Sequence, residues 1–460
     1  MTNIIGNHVG GSRVSQTGGT LQDVFNPSTG EVSAQVRLSS SKELDAVVQV
    51  ASEAAVAWGA TPPAKRAQVM YRFKRLLEDN ADKIASSISS EHGKTHDDAL
   101  GEVARGMEAV EFSCGIPHLL KGTFSEQVAT SIDVYSIPQS LGVVAGITPF
   151  NFPAMVPMWM FPNALACGNA FILKPSERDP SVTLILADLL KDAGLPDGVF
   201  SVVQGDKVVV DAILDNPEIK AVSFVGSTPV AEYIYTRGAA NGKRVQALGG
   251  AKNHMIIMPD ADMDQVVDAL MGAGYGSAGE RCMAISVPVP VGEKVADELM
   301  DRMVPLVEKL LVGPPSDPNA AMGPVITKQS LERITSLLQS GVDQGAKLLV
   351  DGRGLKVPRN ENGFFIGASL FDQVTPEMDI YKEEIFGPVL STVRVADYEA
   401  AIKLIHNNQY ANGVAIFTRD GDAARDFVNR IQVGMVGINV PIPVPVGYHS
   451  FGGWKKSLFG

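Results

Sequence analysis

Short apolar runs alternate with helix-like segments between Leu141 and Leu248, and no other feature constrains the fold of this chain as strongly. Runs of this kind, bounded by turn residues, are typical of buried strands, and apolar residues at helical spacing separate them. The predicted strands are 141–147, 170–173, 201–203, 221–225 and 244–248, and the predicted helices are 157–166, 182–192, 207–214 and 229–236. Because strands and helices alternate, the sequence predicts a parallel sheet with helices on both faces and a nucleotide site at its strand ends.

Regular patterns also flank this region. Residues 46–58 and 65–88 carry apolar residues at helical spacing. Asp179 or Ser181 is expected to cap the start of the helix 182–192, and Gly194 fits its end. Beyond Leu248 a second set of alternating elements is predicted, with helices at 263–272 and 294–311 and strands at 286–291, 347–350, 390–393, 414–417 and 435–439.

The fold class that follows is α/β with two domains. The first domain is expected at 1–121 and 140–248, as a Rossmann-like parallel sheet, and the second at 249–440, as another α/β unit. Residues 122–139, which include a projecting hairpin at 125–138, are expected to separate the two parts of the first domain. Residues 441–460 are a C-terminal segment.

The stretch from Val134 to Leu173 contains no charged residue and is long enough to span a bilayer. It also contains several prolines, among them Pro149, Pro153 and Pro157. Helix breakers at this density would leave backbone groups unpaired in lipid. We therefore expect a deeply buried core segment and no membrane contact.

Charge and cysteine content narrow the class of protein. The chain has 39 basic and 51 acidic residues and a net charge of −12, which argues against nucleic-acid binding because that relies on clustered cations. The three cysteines, Cys114, Cys167 and Cys282, form neither a disulfide framework nor a metal-ligand spacing. Residues 1–11 lack the basic start and apolar run of a signal peptide, so the expected location is the cytoplasm.

Cys282 follows a run of small residues and a charged pair, in residues 274–282 (GYGSAGERC). Small residues allow a ligand or another backbone to approach closely. The adjacent Arg281, or a helix start, would favour the thiolate by lowering the pKa of the thiol. The alternative is a buried and inert cysteine, and this window alone leaves both roles open.

A polar amide, that of Asn151, directly follows the first strand of the predicted sheet, within residues 148–153 (TPFNFP). A buried amide without a partner costs free energy. One partner suited to it is an oxyanion that forms on a substrate. The alternative is that Asn151 only stabilises a turn before Pro153.

Two other strand ends carry groups suited to a nucleotide. Lys174 and Glu177, in residues 174–177 (KPSE), follow the strand 170–173, where ribose and phosphate groups bind in such sheets. Residues 224–227 (FVGS) end another strand and open a helix, whose free N–H groups can bind a pyrophosphate. The GxGxxG fingerprint is missing there, and the alternative for Lys174 and Glu177 is a surface ion pair.

Taken in order, these windows resemble the aldehyde dehydrogenase family. The resemblance runs from about Phe25 to the chain end and includes residues 174–177 (KPSE), 224–227 (FVGS), 248–250 (LGG), 384–389 (EIFGPV) and 452–455 (GGWK). It implies that the first domain binds NAD, that 249–440 is the catalytic domain and that 122–139 is an oligomerisation hairpin. The cofactor site of this family lacks the usual glycine fingerprint, which accounts for its absence here.

Within the family, residues 147–153, 250–254 and 279–284 look like the methylmalonate-semialdehyde dehydrogenase branch, which transfers the acyl group to coenzyme A. The resemblance implies that Cys282 is the nucleophile. It further implies that the Asn151 amide and the Cys282 backbone N–H form the oxyanion hole. In this branch, arginines at the positions of Arg105 and Arg281 bind the substrate carboxylate.

The same resemblance implies a set of cofactor contacts. Lys174 and Glu177 would bind the adenosine ribose, Ser227 would lie near the pyrophosphate, and Glu384 would bind the nicotinamide ribose. The remaining residues implied to contact the cofactor are Phe150, Arg178, Gly226 and Phe386. No metal is expected.

Two departures from the family pattern matter. Hydrolytic members carry a glutamate general base directly before Leu-Gly-Gly, where this chain has Ala247, and the alignment there is uncertain by one because residues 249–252 (GGAK) contain an extra residue. The chain also stops at Gly460, whereas the family continues with a strand that pairs across subunits. We therefore expect residues 441–460 to be a truncated segment.

The expected function is NAD-dependent, CoA-acylating oxidation of malonate or methylmalonate semialdehyde through a thioester on Cys282, with release of carbon dioxide. Expected partners are the semialdehyde, CoA and further copies of the chain, as a homodimer or homotetramer. One alternative is a hydrolytic aldehyde dehydrogenase that releases a free acid. Another is a catalytically silent structural protein of the same fold.

Overall fold

The computed structural model describes residues 3–14 and 18–460. Met1, Thr2 and residues 15–17, which the predicted first domain includes, lie outside the described residues. The first elements of the chain are β1 (Asn3–Ile5), β2 (Asn7–Val9), β3 (Ser12–Val14), β4 (Thr20–Asn26), β5 (Glu31–Leu38), α1 (Ser41–Gly59), α2 (Pro63–Asp79), α3 (Ala81–His92), α4 (His96–Cys114) and α5 (Ile116–Leu119).

A hairpin and the alternating region follow. Their elements are β6 (Thr123–Ala129), β7 (Ile132–Ser136), β8 (Val143–Ile147), α6 (Met155–Ala166), β9 (Ala170–Lys174), α7 (Ser181–Asp192), β10 (Phe200–Val202), α8 (Lys207–Asp215), β11 (Ile219–Val225), α9 (Thr228–Ala240) and β12 (Arg244–Leu248). The apolar side chains of β6 and β7 are exposed, including Phe124, Ile132 and Tyr135.

The second alternating region and the chain end form the rest of the molecule. Their elements are β13 (Asn253–Ile257), α10 (Met263–Tyr275), β14 (Ile285–Pro290), α11 (Glu293–Glu308), α12 (Lys328–Asp343), β15 (Lys347–Val350), β16 (Ser369–Asp372), α13 (Asp379–Lys382), β17 (Val389–Ser391), α14 (Tyr398–Asn407), β18 (Tyr410–Ala411), β19 (Gly413–Phe417), α15 (Gly421–Arg430), β20 (Met435–Ile438), β21 (Trp454–Lys455) and β22 (Leu458–Phe459).

The predicted parallel sheet is confirmed. Strands β8 to β12 lie in the order β10-β9-β8-β11-β12 and all run parallel. Strands β8 and β9 are buried along their whole length because helices cover both faces of the sheet. The connection order reverses between β8 and β11, which is where nucleotides bind in sheets of this topology.

The register of this sheet brings the predicted strand-end residues to one edge. Ile147 pairs with Lys174 on one side and with Phe224 on the other. Val225 in turn pairs with Leu248. The loops that follow β8, β9, β11 and β12 therefore emerge side by side.

Two local predictions were wrong. The helix expected at 65–88 is broken at Asn80, whose backbone leaves the helical region (φ −117°, ψ 13°) and whose amide donates to the Leu76 carbonyl. Neither Asp179 nor Ser181 caps α7 with its side chain. Instead, the Glu91 carboxylate accepts hydrogen bonds from the Ser181 N–H and hydroxyl at 3.0 and 2.6 Å. Gly194 does follow the helix end in a left-handed conformation, as expected.

A second parallel sheet, in the order β14-β13-β19-β20, lies at the centre of the other region, with its own core. Its central strand β13 was not predicted. The smaller sheet β15-β16-β17 packs beside it. Among the described residues, no helix combines the length and the apolar character that crossing a membrane requires.

Candidate active site

Cys282 lies in a turn that is reached through an unusual stretch of backbone. After α10 ends at Tyr275, Ser277, Ala278 and Gly279 all have left-handed φ angles of 54°, 53° and 70°. A side chain at position 279 would collide with the Gly387 carbonyl oxygen. Residues 276–283, called the nucleophile loop below, are thus pressed against the segment that contains Glu384.

Residues far away in the sequence hold the nucleophile loop in place. Asp98, in the first turn of α4, accepts hydrogen bonds from the Arg281 guanidinium at 2.6 Å and from the Ser277 N–H at 3.1 Å. The Cys282 carbonyl accepts from the side-chain amides of Asn253 at 2.9 Å and Asn412 at 3.1 Å. The loop is therefore tied to α4, to β13 and to the start of β19.

The electrostatics of Cys282 differ from the prediction. Burial, together with the nearby Glu384 carboxylate, raises the pKa of the partly exposed Cys282 thiol to about 12. Arg281 lowers this pKa only slightly, and its guanidinium is paired with Asp98. Arg281 thus acts on the pKa in the predicted direction, but burial and Glu384 outweigh it, so the pKa of the thiol is raised.

A cavity of about 550 Å³ opens on one side of Cys282. Arg105 lies in its wall, where its guanidinium pairs with Glu108 at 2.8 and 2.9 Å and reaches the Val444 carbonyl at 3.4 Å. Arg281 is not among the described residues that line this cavity. The structure therefore brings Cys282 and Arg105 to one cavity and leaves Arg281 on its Asp98 partner.

The last residues of β12 determine which side chains face this cavity. Gln246 and Leu248 line it, whereas Ala247 is fully buried among the residues of α1, α8 and α9. Among the described residues of the cavity wall, Glu108 is the one carboxylate, and Arg105 neutralises it. The side chains that flank the predicted position of a general base and line the cavity are thus the uncharged Gln246 and Leu248.

Asn151 is buried, and the structure positions its backbone firmly. Lys94 donates from its ammonium group to the Asn151 carbonyl at 2.7 Å and to Glu102 at the same distance. Glu102 also accepts from the N–H groups of Ala154 and Met155, at the start of α6. Within residues 3–14 and 18–460, the Asn151 side-chain amide has no hydrogen-bond partner and so keeps its donors free.

Lys174 and Glu177 form an ion pair at the end of β9, with 3.2 Å between the ammonium nitrogen and a carboxylate oxygen. Burial alone would raise the pKa of Glu177, but the Lys174 ammonium and the Glu177 backbone N–H keep it below its usual value. Arg178 lies over the Phe150 ring at 4.9 Å, and Phe150 contacts the Phe386 ring edge-on at 5.7 Å. These rings connect the loop after β9 to the segment that contains Glu384.

The loop after β11 reaches Glu384 by another path. Ser227 is the N-cap residue of α9 and makes no side-chain capping bond. Pro229 has no N–H and the Val230 N–H donates to the Ser227 carbonyl, so the N–H groups that stay without a partner among the described residues are those of Ser227 and Thr228. Next to it, the Thr228 hydroxyl accepts from the Gly250 N–H at 2.8 Å, and the Ala251 N–H donates to the Glu384 carboxylate at 2.9 Å. Gly226 and Ser227 are therefore adjacent to the chain that holds Glu384.

Glu384 and Cys282 share a narrow second pocket, whose wall also includes Phe386 and Arg281. Burial raises the pKa of Glu384 to about 7, while the Ala251 N–H, Lys252 and Arg333 oppose this shift. Glu280, within the nucleophile loop, is completely buried, and this burial raises its pKa to about 8. One oxygen of Glu280 accepts the Ile326 N–H at 3.5 Å, and the other lies 3.7 Å from His92.

Several residues that shape the site were not singled out from the sequence. They are Lys94, Asp98, Glu102, Asn253 and Asn412. Asn253 lies within a motif used for the family resemblance, so its residue type was visible although its role was not. The other four occur in segments without a distinctive spacing. Lys94 and Glu102 are eight positions apart, and the other partners are 52 to 183 positions away in the sequence.

Comparison with known proteins identifies the family. The model of the "Aldehyde dehydrogenase family" matches residues 14–460. The chain belongs to the aldehyde dehydrogenase family, so the predicted family and its α/β fold are confirmed.

Individual relatives narrow the likeness further. The chain is 60% identical to a malonate-semialdehyde dehydrogenase of Pseudomonas aeruginosa, covering 98% of this chain and 91% of that protein. It is 50% identical to the acylating mitochondrial methylmalonate-semialdehyde dehydrogenase of Arabidopsis thaliana, covering 99% and 74%.

Solved structures agree. A candidate methylmalonate-semialdehyde dehydrogenase of Sinorhizobium meliloti, complexed with NAD, superposes with a TM-score of 0.99 at 61% identity, covering all of this chain and 94% of the other. The methylmalonate-semialdehyde dehydrogenase of Oceanimonas doudoroffii gives 0.98 at 58% identity, with the same coverage.

Proposed function

We propose that this chain catalyses the NAD-dependent, CoA-acylating oxidation of malonate or methylmalonate semialdehyde, with loss of carbon dioxide. The observation that carries the proposal is the position of Cys282. It lies between a cavity with Arg105 in its wall and a narrow pocket with Glu384 in its wall. Cys282, the proposed nucleophile, thus lines both pockets. One of them contains Arg105, a cation for the substrate carboxylate, and the other contains Glu384, a carboxylate for a ribose.

The first half of the reaction forms a thioester. The Cys282 sulfur adds to the aldehyde carbon, and the Asn151 amide together with the Cys282 N–H stabilises the oxyanion that results. The unpartnered donors of the Asn151 side chain support this role. NAD, when bound, accepts the hydride that leaves the former aldehyde carbon. The Glu384 carboxylate raises the pKa of the thiol. A ribose hydroxyl that donates a hydrogen bond to Glu384 would weaken this effect and so favour the reactive thiolate.

The residues at the strand ends fit NAD. Lys174 and Glu177 can bind ribose hydroxyls, and the Glu177 carboxylate would repel a 2′-phosphate, so NAD is preferred over NADP. The Ser227 and Thr228 N–H groups at the start of α9 would be offered to the pyrophosphate, next to Gly226, whose own N–H donates to the Leu248 carbonyl. Glu384 would bind the second ribose, with Phe150, Arg178 and Phe386 nearby.

The second half transfers the acyl group to CoA. A carboxylate β to the thioester carbonyl can leave as carbon dioxide because the thioester stabilises the enolate that remains. The enolate takes up a proton from solvent and becomes the acyl thioester. The CoA thiolate then attacks the thioester carbon, and the Cys282 sulfur leaves as a thiolate. Hydrolysis would need a base to activate water. The family's hydrolytic members carry a glutamate where this chain has Ala247, which is buried away from the cavity, and the one carboxylate in the described cavity wall, Glu108, is paired with Arg105.

Arg105 is the residue proposed to bind the substrate carboxylate, because a guanidinium can hold a carboxylate with two parallel bonds. Its present partner, Glu108, is exposed, so the pair can open when a substrate carboxylate replaces it. Arg281 is proposed as a second carboxylate ligand, and it would have to leave Asp98 to act as one.

We also propose that the chain works as a homodimer or homotetramer. The support is the hairpin β6–β7, whose strands are exposed along their whole length and carry Phe124, Val134 and Tyr135 at 65, 53 and 71% exposure. Apolar side chains in such a patch are typical of an interface.

One assay tests the function directly. The chain is incubated with NAD and malonate semialdehyde, with and without CoA, and NADH and the acyl products are measured. We expect sustained NADH formation and acetyl-CoA only when CoA is present. Free acid formed at the same rate without CoA would instead support a hydrolytic enzyme, and absence of NADH in both arms would contradict a catalytic role.

A further inference from the structure

The turn of residues 148–154, called the Asn151 turn below, has little hydrogen bonding of its own. Among the described residues, no backbone hydrogen bond joins two members of this turn. Pro149 and Pro153 have no N–H to donate. Ala154 is the N-cap residue of α6 and has no side chain that could cap the helix. Groups outside the turn must therefore fix its shape.

A buried ion pair supplies the missing bonds. The Lys94 ammonium donates to the Asn151 carbonyl and to one oxygen of the Glu102 carboxylate, both at 2.7 Å. The other Glu102 oxygen accepts the N–H groups of Ala154 and Met155 at 2.8 and 3.1 Å, and so caps α6 from outside. The pair thus holds the Asn151 turn at its middle and at its end.

The charges of this pair are fully used. Both side chains are completely buried, and taking two charges out of water is costly unless their remaining donors and acceptors are also bound. Here both Glu102 oxygens accept hydrogen bonds, and the Lys94 ammonium also lies 4.3 Å from the centre of the Phe152 ring. Apolar side chains could fill the same volume, so the specific effect of the charged pair is the fixed geometry of the turn.

The helix that carries Glu102 also holds the nucleophile loop. Asp98, four positions earlier on α4, accepts the Ser277 N–H and the Arg281 guanidinium. Residues four positions apart lie on one face of a helix. Helix α4 therefore carries acceptors for both the Asn151 turn and the nucleophile loop.

The Asn151 turn lies beside the nucleophile loop. The His92 ring stacks on Phe150 with 6.2 Å between the ring centres, and its Nε2 lies 3.7 Å from a Glu280 oxygen. Phe150 also contacts Phe386, which lines the narrow pocket together with Cys282. A shift of the turn would therefore change its position relative to the nucleophile.

We propose that Lys94 and Glu102 are positioning residues that fix the backbone of Asn151, so that its free side-chain amide is directed at the oxyanion beside Cys282. The inference rests on the proposed function, in which Asn151 is an oxyanion donor. The ion pair does not touch the substrate and acts through the amide. A misplacement of about 1 Å can cost about 10²-fold in rate, so a loosened turn is expected to slow the reaction strongly.

The test is a double-mutant cycle that combines Lys94→Met/Glu102→Gln with Asn151→Ala. The paired substitution removes both charges together, keeps an acceptor oxygen for the start of α6 and removes the donor to the Asn151 carbonyl. We expect the single-turnover rate of NADH formation from malonate semialdehyde to fall about 10- to 100-fold in the chain that keeps Asn151. In the Asn151→Ala background the same substitutions should slow the reaction by no more than about 2-fold, because the amide is already absent.

Two further readouts separate positioning from a merely structural role. The rate at saturating semialdehyde should fall, while KM for the semialdehyde changes little. Alkylation of Cys282 by iodoacetamide without cofactor, followed by peptide mass spectrometry, should keep the wild-type rate because the nucleophile is not displaced. General loosening of the site would instead change the alkylation rate and slow both backgrounds by the same factor.

Lys74→Met/Glu78→Gln is the matched control, because it neutralises a partly exposed Lys–Glu pair on α2 that is also 2.7 Å long. We expect no change in either background. Glu102→Gln alone is a milder variant, to be put through the same cycle if the paired variant does not fold. It keeps Lys94 but weakens the bonds that depend on the charge of Glu102, so we expect a fall of about 3-fold or more, confined to the chain that keeps Asn151.

Equal slowing in both backgrounds would overturn the inference, because the pair would then act independently of the Asn151 amide. An unchanged rate in the chain that keeps Asn151 would also overturn it. Both results leave the proposed function intact. A wild type that forms no NADH would instead contradict the proposed function, and the inference with it.

Discussion

Two loops of this molecule contribute to one proposed site, and they are built in opposite ways. The loop after β9 takes its shape from its own neighbours, since Lys174 pairs with Glu177 three positions away and Ser176 accepts the Arg178 N–H. The nucleophile loop depends on partners 29 to 183 positions away, among them Asp98, Asn253 and Asn412. The loop after β9 is thus shaped by residues close to it in the sequence. The nucleophile loop, in contrast, is held in place by residues from distant parts of the chain.

The two loops also differ in their electrostatics. Glu177 is kept ionised by a cation beside it, and its pKa lies below the usual value. Around the nucleophile loop the pKa values of Glu280, Glu384 and Cys282 are all raised, chiefly by burial. The loop after β9 therefore keeps an ionised carboxylate, while burial disfavours the charged forms of the groups around the nucleophile loop.

Cys282→Ser is expected to show the largest difference between the two loops, because it should affect catalysis and leave NAD binding unchanged. A hydroxyl with a pKa far above 7 is a poor nucleophile without a base, so NADH formation should fall by at least about 10³-fold. NAD affinity, measured by calorimetry, should change little because the loop after β9 is untouched. Activity above a few per cent would place the nucleophile elsewhere, and Cys114→Ala and Cys167→Ala serve as controls that retain activity.

Asn151→Ala removes a group that follows a strand end and is proposed to act as an oxyanion donor beside Cys282. Loss of one oxyanion donor typically lowers the rate about 10²–10³-fold. We expect this decrease in the single-turnover rate of NADH formation, with a smaller change in KM. A raised KM with an unchanged rate would mean that the amide contacts only the ground state.

Arg105→Leu tests how the wide cavity selects substrate. Charged hydrogen bonds contribute roughly 1.5–3 kcal/mol each, so the wild type should favour malonate semialdehyde over propanal by about 10- to 150-fold in kcat/KM. The variant should lose most of this preference and oxidise propanal at nearly the original rate. If the wild type used both aldehydes equally well, the assignment to an acidic semialdehyde would be wrong.

Glu177→Gln should have the opposite pattern of effects to Cys282→Ser, since it alters the loop after β9 and leaves the nucleophile loop unchanged. It keeps the shape of the loop after β9 but removes the charge that pairs with Lys174, and we expect KM for NAD to rise about 10-fold. Alkylation of Cys282 without cofactor should not change. A slower alkylation would show that the two loops are coupled, contrary to their separate construction.

The smallest effect is expected from Glu280→Gln, and it concerns stability. Because burial raises the pKa of Glu280 to about 8, the folded chain holds a proton that the unfolded chain, at the usual value of 4.5, releases. Wild-type stability from this group is present below pH 4.5 and is lost as the pH rises towards 8. The side chain in the variant does not ionise, so the variant does not lose stability in this way. The Tm of the variant minus the Tm of the wild type should therefore increase steadily between pH 5 and 8.

A matched control for this measurement is Glu126→Gln on the exposed hairpin β6–β7. Its Tm difference from the wild type should not vary over the same pH range. A Tm difference for Glu280→Gln that is also independent of pH would mean that Glu280 is ionised in the folded chain.

The sequence was sufficient where structure is local. Strands β8 to β12 were predicted within two residues at each end, because buried parallel strands are short and apolar throughout. The family motifs also led to Lys174, Ser227, Cys282 and Glu384, which the fold brings into adjoining pockets and loops. The roles of these residues remain predictions.

The sequence was insufficient where structure depends on distant partners. Strand β13 begins with the polar Asn253 and His254, which looked unlike a central strand, yet Cys282 and Tyr381 provide partners for both side chains. The pairing of Arg281 with Asp98 and the burial of Ala247 away from the cavity likewise follow from tertiary packing. No periodicity or spacing encodes such contacts.

The left-handed residues before Cys282 have a consequence for how the protein folds. Ser277 and Ala278 occupy a conformation that costs an L-residue about 1–2 kcal/mol, so an unfolded chain rarely visits it at both positions together. The turn becomes favourable only after Asp98, Gly387 and the two amides that hold the Cys282 carbonyl have arrived from distant parts of the chain. We therefore expect the Cys282 thiol to become protected late in refolding, after the helices and sheets have formed.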